Sequence, residues 1–308
     1  MQQQDIIAIV GPTATGKSDL AVAIARYINA HKSLLRVAGA EIISADSRQV
    51  YKGLNIGAGK ITKKEMGEIP HHLLDVASPA RTYTVAQYQK EAQKMIASLH
   101  AKNIVPILCG GTGLYIDAVL HNYQFPSVKP NIALRKKLEA LTTEKLFELL
   151  LKKDPSRAQH IDQFNRRRLI RALEIIEITG KPVAPLSTTS LYNTLIIGIC
   201  MDKETLKKRI HARLIKRIKQ GMAAEVRRLH TQGVSWKRLE DLGLEYRYIG
   251  RFLQGALSKQ DMLSQLESEI NKFAKRQMTW FKRNKEIVWM ERADVGKARI
   301  LIKEFLKE

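Results

Sequence analysis

The segment GPTATGKS at residues 11–18 constrains the fold of this chain more than any other feature. It fits the pattern G-x-x-x-x-G-K-[ST], in which backbone N–H groups wrap a phosphate chain, the lysine neutralises it and the last hydroxyl reaches a magnesium ion. An apolar run precedes it at residues 5–10, and apolar residues at helical spacing follow it at 17–29. Strand, loop and helix in this order predict an α/β fold that binds a di- or triphosphate at its first turn. The predicted diphosphate-binding residues are Gly11, Pro12, Thr13, Ala14, Thr15, Gly16, Lys17 and Ser18, with the Ser18 hydroxyl as the predicted magnesium ligand.

A carboxylate follows the second predicted strand. Asp46 follows the apolar run Ile42–Ile43 of a predicted strand over residues 41–44, at the strand end where open α/β sheets hold their sites. This position predicts a base close to the phosphate-binding loop. The alternative is an aspartate that caps a turn or a helix, because the polar residues Ser47, Arg48 and Gln49 follow it.

The order of apolar segments predicts two domains. A helix at 85–100 and a third strand at 105–109 follow, and the strand leads into the GGTG turn at 110–113. This β-α-β-α-β order predicts a P-loop NTPase-like parallel sheet with helices on both faces. Between residues 126 and 190 only helical segments are recognisable, before a returning strand at 195–200. We therefore expect a core domain of residues 1–122 and 191–308, with basic C-terminal helices, and a helical insertion domain of residues 123–190.

Charge points to a polyanionic partner. The chain carries 52 lysines and arginines against 30 aspartates and glutamates, a net charge of +22. Residues 1–125 hold 13 basic and 9 acidic side chains, whereas residues 126–308 hold 39 and 21. A solvated helix surface normally mixes both signs, so this excess favours nucleic acid over an anionic membrane or a merely basic surface.

Cysteine content and hydropathy indicate a compartment. The two cysteines, Cys109 and Cys200, each end an apolar run, which is typical of buried free thiols in a reducing compartment. No window approaches the roughly 18 uninterrupted apolar residues that a membrane span needs. The sequence predicts a cytoplasmic protein without membrane insertion.

Seven ordered motifs carry a family resemblance. They are GPTATGKS, ISADSRQVYKGLNIG, HHLLDV, CGGTGLYIDAV, RRLIRALEI, GLEYRYI and FAKRQMTWFKR. In this order they resemble the tRNA dimethylallyltransferase (tRNA isopentenyltransferase) family over nearly the whole chain. The resemblance implies magnesium-dependent transfer of a prenyl group from dimethylallyl diphosphate to N6 of the adenine immediately 3′ of the anticodon. The sequence departs from the family at residues 58–62, AGKIT, where TAKP is usual, and it lacks the Cys/His-rich finger of eukaryotic members, which indicates a bacterial-type enzyme.

The resemblance also implies roles for individual residues. Asp46, Thr112 and Arg135 form the expected catalytic set, with Thr112 as a hydroxyl donor and Arg135 as a fork onto phosphate oxygens. A base inside an anticodon loop must be unstacked, so cations and aromatic rings are expected around it. The expected tRNA-binding residues are Asp46, Ser47, Arg48, Gln49, Arg167, Arg168, Arg171, Lys275, Arg276, Gln277, Trp280 and Arg283.

Simpler interpretations exist for several of these residues. Arg135 lies beside two lysines, as a solvated helix charge would, and Trp280 fits the apolar face of an amphipathic helix. His71 and His72 lack further ligands at metal spacing apart from Asp75, which favours a structural loop over a metal site.

Three other functions share part of the pattern. A P-loop small-molecule kinase would bind ATP in the same loop and use Asp46 as its base, but the basic second half would then have no role. An adenylate (AMP or ADP) isopentenyltransferase would share the prenyl chemistry without needing the basic surface. An RNA-binding NTPase or a non-catalytic RNA chaperone would explain the charge but not Asp46. The preferred partners are the tRNA anticodon stem-loop and dimethylallyl diphosphate, bound by a monomer.

Overall fold

The computed structural model describes residues 4–307, and these divide into two compact units. The first unit runs up to Asn122 and resumes at Ser190, and the second is Tyr123–Thr189. None of the helices within residues 4–307 is both long and apolar enough to cross a membrane.

The first unit is built on one six-stranded sheet in the order β3-β2-β4-β1-β5-β6, with every neighbouring pair parallel. The strands are β1 (Gln4–Val10), β2 (Gly39–Ser44), β3 (His71–His72), β4 (Ile104–Gly110), β5 (Tyr192–Ile199) and β6 (Val288–Met290). The predicted parallel α/β sheet is confirmed. It places the ends of β1, β2 and β4 side by side, because β4 lies between the other two.

Helices cover both faces of the sheet. In chain order they are α1 (Lys17–Ala30), α2 (Lys32–Leu35), α3 (Lys63–Met66), α4 (Val85–His100), α5 (Gly113–Leu120), α6 (Ile132–Glu139), α7 (Thr143–Lys153), α8 (Pro155–His160), α9 (Arg166–Thr179), α10 (Lys203–Lys219), α11 (Met222–Thr231), α12 (Trp236–Leu242), α13 (Leu244–Leu253), α14 (Lys259–Phe281) and α15 (Val295–Phe305). Successive β1 side chains enter opposite cores, since Ile6 and Ala8 pack with α4, α5, α10, α11, α13 and α14, whereas Ile7 and Ile9 pack with α1 and α15. Such two-sided burial explains why residues 6–10 of β1 are all apolar rather than alternating.

The second unit consists of α6 to α9 and the loops around them. Its own core is formed by apolar residues of all four helices, among them Leu138, Leu146, Ala158 and Leu173. The helix α9 ends at Gly180, whose φ of 66° is the left-handed conformation that glycine adopts readily after a last helical turn.

Two local structures differ from the sequence-based expectations. The segment of His71 and His72, expected as a loop, forms the short edge strand β3, where the His72 imidazole lies 2.6 Å from a Glu41 carboxylate oxygen. The sequence predicts one long C-terminal helix over residues 258–286, but α14 ends at Phe281. Backbone bonds from Lys282 to Met278 and from Asn284 to Phe281 tighten that end before β6 begins.

Candidate active site

The glycine loop, residues 11–18, connects the end of β1 to the start of α1. Gly11 has a φ of 141°, and a Cβ there would collide with the backbone carbonyl of Ile199 on β5, so only glycine fits. The Thr15 hydroxyl donates to the Pro12 carbonyl at 2.9 Å, and the Lys17 ammonium donates to the same carbonyl at 2.6 Å. The loop is therefore held in shape by its own residues.

Two cations share the surroundings of this loop. Burial lowers the pKa of Lys17 to about 8; Cys109 and Asp46 raise it, and Arg213 lowers it. Arg213, on α10, donates to the Thr13 hydroxyl at 2.5 Å, and burial, together with the nearby Arg217, lowers its pKa to about 10. Depressed pKa values on two neighbouring cations mean that their positive charge lacks full compensation, which a bound anion would supply.

Arg213 was not singled out in the sequence. Arg213 lies in α10 among many lysines and arginines, so nothing in the sequence distinguishes it from its exposed neighbours. Its hydrogen-bond partner, Thr13, lies 200 residues earlier in the chain.

Asp46 lies two residues after the end of β2, and it makes the turn-capping contacts that were considered for it, while its role as a base stays a prediction. Its Oδ1 accepts hydrogen bonds from the backbone N–H groups of Arg48 at 2.8 Å and Gln49 at 3.3 Å, as a turn-capping aspartate does. Its Oδ2 makes no hydrogen bond to any part of residues 4–307. One carboxylate oxygen thus fixes the turn, and the other is available to a ligand.

The two turns after β2 and β4 are joined directly. The Thr112 hydroxyl oxygen accepts from the Ser47 N–H at 3.0 Å, and the Thr112 N–H donates to the Ala45 carbonyl at 3.2 Å. The Thr112 hydroxyl proton stays free to donate, since the oxygen acts here as an acceptor. The structure therefore brings Asp46 and Thr112 to the same edge of the sheet.

Side chains of the polar cluster after Asp46 hold its loop. Arg48 donates to the Ser47 carbonyl at 3.1 Å, and the Gln49 amide donates to the Gly59 carbonyl at 3.2 Å. All of these side chains are half-buried.

Glycine residues of the GGTG turn are required by close neighbours. A Cβ on Gly110 would collide with the Ala45 backbone, and one on Gly113 would collide with the Trp280 indole. A Cβ on Gly111 would meet the side-chain amide of Gln277. The turn is thus packed tightly between the end of β2 and α14.

Gln277, on α14, connects this turn to the glycine loop. Its side-chain oxygen accepts from the Thr13 N–H at 2.8 Å, and its amide nitrogen donates to the Gly111 carbonyl at 2.8 Å. The side chain is only 7% exposed. Its expected contact with tRNA stays a prediction, and such a contact would require the side chain to leave both hydrogen bonds.

The opposite face of α14 and its end carry exposed cations. Lys275, Arg276 and Arg283 are exposed, while Trp280 is half-buried and donates from Nε1 to Asp117 at 2.8 Å. The Arg283 guanidinium lies over the Trp280 ring, 4.0 Å from its centroid. The indole is therefore partly a core group, as the simpler interpretation held, with cations on its solvent side.

In the second unit, two of the expected site arginines share one carboxylate. Glu174 is fully buried and accepts from Arg135 Nε and Nη2 at 2.8 and 2.7 Å and from Arg171 Nη1 at 2.5 Å. Burial alone would raise the pKa of Glu174, but these bonds and one from the Asn131 N–H lower it to about 2. The fork of Arg135 is therefore held by a carboxylate here. Arg167 and Arg168 are exposed at the start of α9.

The residues that lead into the segment that departs from the family pattern are held by hydrogen bonds to α11 and α13. The buried Glu225 carboxylate accepts from the N–H groups of Asn55, Ile56 and Gly57 at 2.7 to 3.1 Å, and the Tyr246 hydroxyl lies between Glu225 and the Ala58 N–H. Nothing in the sequence marks Glu225 for this role, because its partners are backbone groups.

Comparisons with known proteins agree on one family. A protein-family model described as IPP transferase matches residues 49–284 of this chain. A tRNA dimethylallyltransferase 1 of Syntrophus aciditrophicus (strain SB) is 40% identical over 304 residues, covering 94% of this chain and 95% of that protein. The crystal structure of a tRNA isopentenylpyrophosphate transferase from Bacillus halodurans matches with a TM-score of 0.72 and 33% identity, covering 99% of this chain and 96% of that one. A tRNA delta(2)-isopentenylpyrophosphate transferase from Staphylococcus epidermidis matches with a TM-score of 0.69 and 32% identity, covering 99% and 98%.

Proposed function

The chain belongs to the IPP transferase family, and from that premise we propose that it transfers a dimethylallyl group from dimethylallyl diphosphate to tRNA. The acceptor in this proposal is N6 of the adenine immediately 3′ of the anticodon, and diphosphate is released. The observation that carries the proposal is the shared edge of the sheet, where Lys17 and Arg213 donate hydrogen bonds to the glycine loop and the nearby Asp46 raises the pKa of both.

The chemistry fits the cations of this edge. When the allylic C–O bond breaks, negative charge develops on the departing diphosphate and positive charge on the allyl group. Backbone N–H groups of the glycine loop, with Lys17 and Arg213, offer preorganised donors where that negative charge appears. They stabilise the transition state more than the ground state because the charge on the leaving group grows during the step.

The acceptor needs a base, and Asp46 supplies it in this proposal. The lone pair of adenine N6 is delocalised into the ring, so N6 is a weak nucleophile. The free Oδ2 of Asp46 would accept a hydrogen bond from N6 and then its proton, as the new N6–C bond forms. The Thr112 hydroxyl, fixed 3.0 Å from the Ser47 N–H, would donate to the ligand from the neighbouring turn.

Magnesium fits the donor set of the loop. Within residues 4–307 no group of three or more His, Cys, Asp or Glu side chains could hold a metal ion. Magnesium in phosphate sites is commonly held by one or two protein ligands together with substrate phosphates and water. The exposed Ser18 at the start of α1 would supply that ligand, and the ion would neutralise charge on the leaving diphosphate.

The acceptor is a large anion in this proposal, and the charge distribution supports that choice. The basic excess lies in residues 126–308, which include the cations of α9 and α14. Transfer to AMP or ADP, or phosphorylation of a small metabolite, would leave this excess without a role. We further propose that the enzyme acts as a monomer in the cytoplasm.

A labelled-donor assay tests the proposal. Dimethylallyl diphosphate would be mixed with an unmodified anticodon stem-loop, with a stem-loop lacking the target adenine, and with AMP. We expect label on the first RNA alone. Label on AMP alone, or on none of the three, would overturn the proposal, and phosphorylation of a metabolite by ATP would favour the kinase.

Salt dependence provides a second test. If about six phosphates are contacted, the affinity for tRNA should fall roughly a thousandfold between 50 and 200 mM salt, whereas a free nucleotide should lose much less. An affinity for the stem-loop that is insensitive to salt would contradict the proposed acceptor.

A further inference from the structure

Phe164 stands apart from the other aromatic residues of the protein. Phe164 is 81% exposed, and it is the one Phe, Tyr or Trp within residues 4–307 that is exposed rather than half-buried or buried. It lies in the second unit, two residues before α9 begins. Covering an exposed phenyl ring with another surface lowers the free energy, because apolar area is removed from water. The exposure of Phe164 therefore favours a binding partner at this position.

The turn that carries Phe164 is fixed by hydrogen bonds. The Phe164 N–H donates to the Asp162 carboxylate at 3.1 Å, and the Asn165 N–H donates to the Asp162 carbonyl at 2.9 Å. Asn165 also caps α9, since its side chain accepts from the Arg168 N–H at 3.2 Å. Little backbone entropy would therefore be lost when a partner covers the ring.

A further contact anchors the turn to the rest of the second unit. The Arg166 guanidinium donates to the Glu139 carbonyl at 2.7 Å and to the Leu141 carbonyl. Arg166 thus holds the turn to the backbone at the end of α6. The ring is presented from a rigid base.

The charge around Phe164 indicates the chemistry of the partner. Arg168 is exposed, and its guanidinium makes no hydrogen bond or ion pair within the described part of the chain. Arginines in the first turn of α9 are repelled by the positive end of the helix dipole, and no acidic residue in that turn offsets them. Residues 123–189 hold 13 lysines and arginines against 7 aspartates and glutamates. An anion beside the ring would relieve this repulsion.

An apolar ring next to the uncompensated cation of Arg168 matches single-stranded RNA, in which each base has a flat face and each linkage a phosphate. We propose that Phe164 stacks on an unpaired base of the acceptor RNA while Arg168 pairs with an adjacent phosphate. This inference rests on the proposed function, because it takes the tRNA acceptor as the partner. It adds a base-stacking contact that neither the motifs nor the charge count indicated.

Equilibrium binding of the full chain to an unmodified anticodon stem-loop tests the inference. Phe164→Ala should weaken binding by about 5- to 150-fold, the range that stacking on one base gives, and Phe164→Trp should retain it. Ile132→Ala is the matched control, because Ile132 is an apolar residue of the same unit and is 83% exposed. It should bind as the unsubstituted protein does. Both side chains lie in solvent, so neither variant should lower the thermal midpoint.

Two further arms separate the ring from the cation. A blunt-ended, fully paired RNA duplex of equal charge should bind Phe164→Ala and the unsubstituted protein equally, because it offers no unpaired base. Arg168→Gln should instead weaken the binding of both RNAs. It should also reduce the slope of log K against log salt concentration by about one.

Several results would overturn the inference. Unchanged stem-loop affinity in Phe164→Ala would do so, as would an equal loss of affinity in Ile132→Ala or for the fully paired duplex. A sedimentation mass that falls in Phe164→Ala would mean that the ring binds a second copy of the chain, and loss of binding to anionic vesicles alone would mean a membrane. Prenyl transfer by the unsubstituted protein separates the two proposals, because its failure would contradict the function whereas a normal Phe164→Ala would contradict only the stacking contact.

Discussion

Gln277 provides a sharp test of how the site is held together. Gln277→Leu removes both hydrogen bonds of 2.8 Å and leaves the Thr13 N–H and the Gly111 carbonyl without their partner. A buried polar group left unpaired costs about 1–3 kcal/mol, so two of them should lower the free energy of unfolding by about 2–6 kcal/mol. Gln277→Glu is the subtler change, because the carboxylate still accepts from Thr13 but cannot donate to Gly111.

The glutamate variant should affect the prenyl donor specifically. The new carboxylate repels the Gly111 carbonyl oxygen, to which Gln277 donates. It also places a negative charge beside the glycine loop, next to the expected diphosphate. We expect KM for dimethylallyl diphosphate to rise about tenfold or more, equivalent to roughly 1.4 kcal/mol or more. RNA affinity should not change, since the side chain is 7% exposed.

Steady-state kinetics with the donor varied, together with separate RNA binding, would check this prediction. Arg276→Gln is the control on the same helix, because Arg276 is exposed and should alter RNA binding without altering KM for the donor. The reasoning would be refuted if the Gln277 variants weakened RNA binding and left the donor KM unchanged. Gln277 would then contact RNA directly, as the resemblance implies.

Three other perturbations follow from the same geometry. Asp46→Asn keeps the oxygen that caps the turn, so we expect normal RNA binding but turnover reduced 10²-fold or more in a single-turnover assay; unchanged turnover would remove Asp46 as the base. Because burial lowers the pKa of Lys17 to about 8, the free protein loses this charge as the pH rises through 8. Calorimetry should then show diphosphate binding weakening between pH 7 and 9, and a flat profile in Lys17→Met. The carboxyl group of Glu174 has its pKa lowered to about 2, so it stabilises the fold above its unfolded pKa of about 4.5, and this contribution, on the order of 3 kcal/mol, is lost as the pH falls towards 2. Urea unfolding at pH 7, 4 and 3 should show a smaller acid loss in Glu174→Gln, and parallel curves would contradict this assignment.

The sheet and its site edge could be predicted because they depend on local signals. The apolar run of β1, the glycine loop and the helical spacing of α1 are each contiguous in sequence, and parallel topology then brings the ends of β1, β2 and β4 together. The expected insertion of residues 123–190 and the observed second unit, Tyr123–Thr189, differ by one residue.

The parts that could not be predicted depend on contacts between distant segments. Gln277 is polar and stands in a basic stretch, so its sequence favours an exposed position, yet two backbone groups from distant turns pair with it in the interior. Arg213 and Glu174 are similar cases, since each is one charge among many on a helix and only its tertiary partner sets it apart. Phe164 reads as a core residue by type, and only the structure shows it exposed.

The central claim is that the glycine loop holds the leaving diphosphate while Asp46 faces the accepting nitrogen. A crystal structure with an unreactive thio analogue of dimethylallyl diphosphate and an unmodified anticodon stem-loop would test it most directly. The account predicts diphosphate oxygens within hydrogen-bonding distance of the N–H groups of the glycine loop, and adenine N6 about 3 Å from Asp46 Oδ2. A diphosphate bound at another surface, or an adenine well away from Asp46, would contradict it.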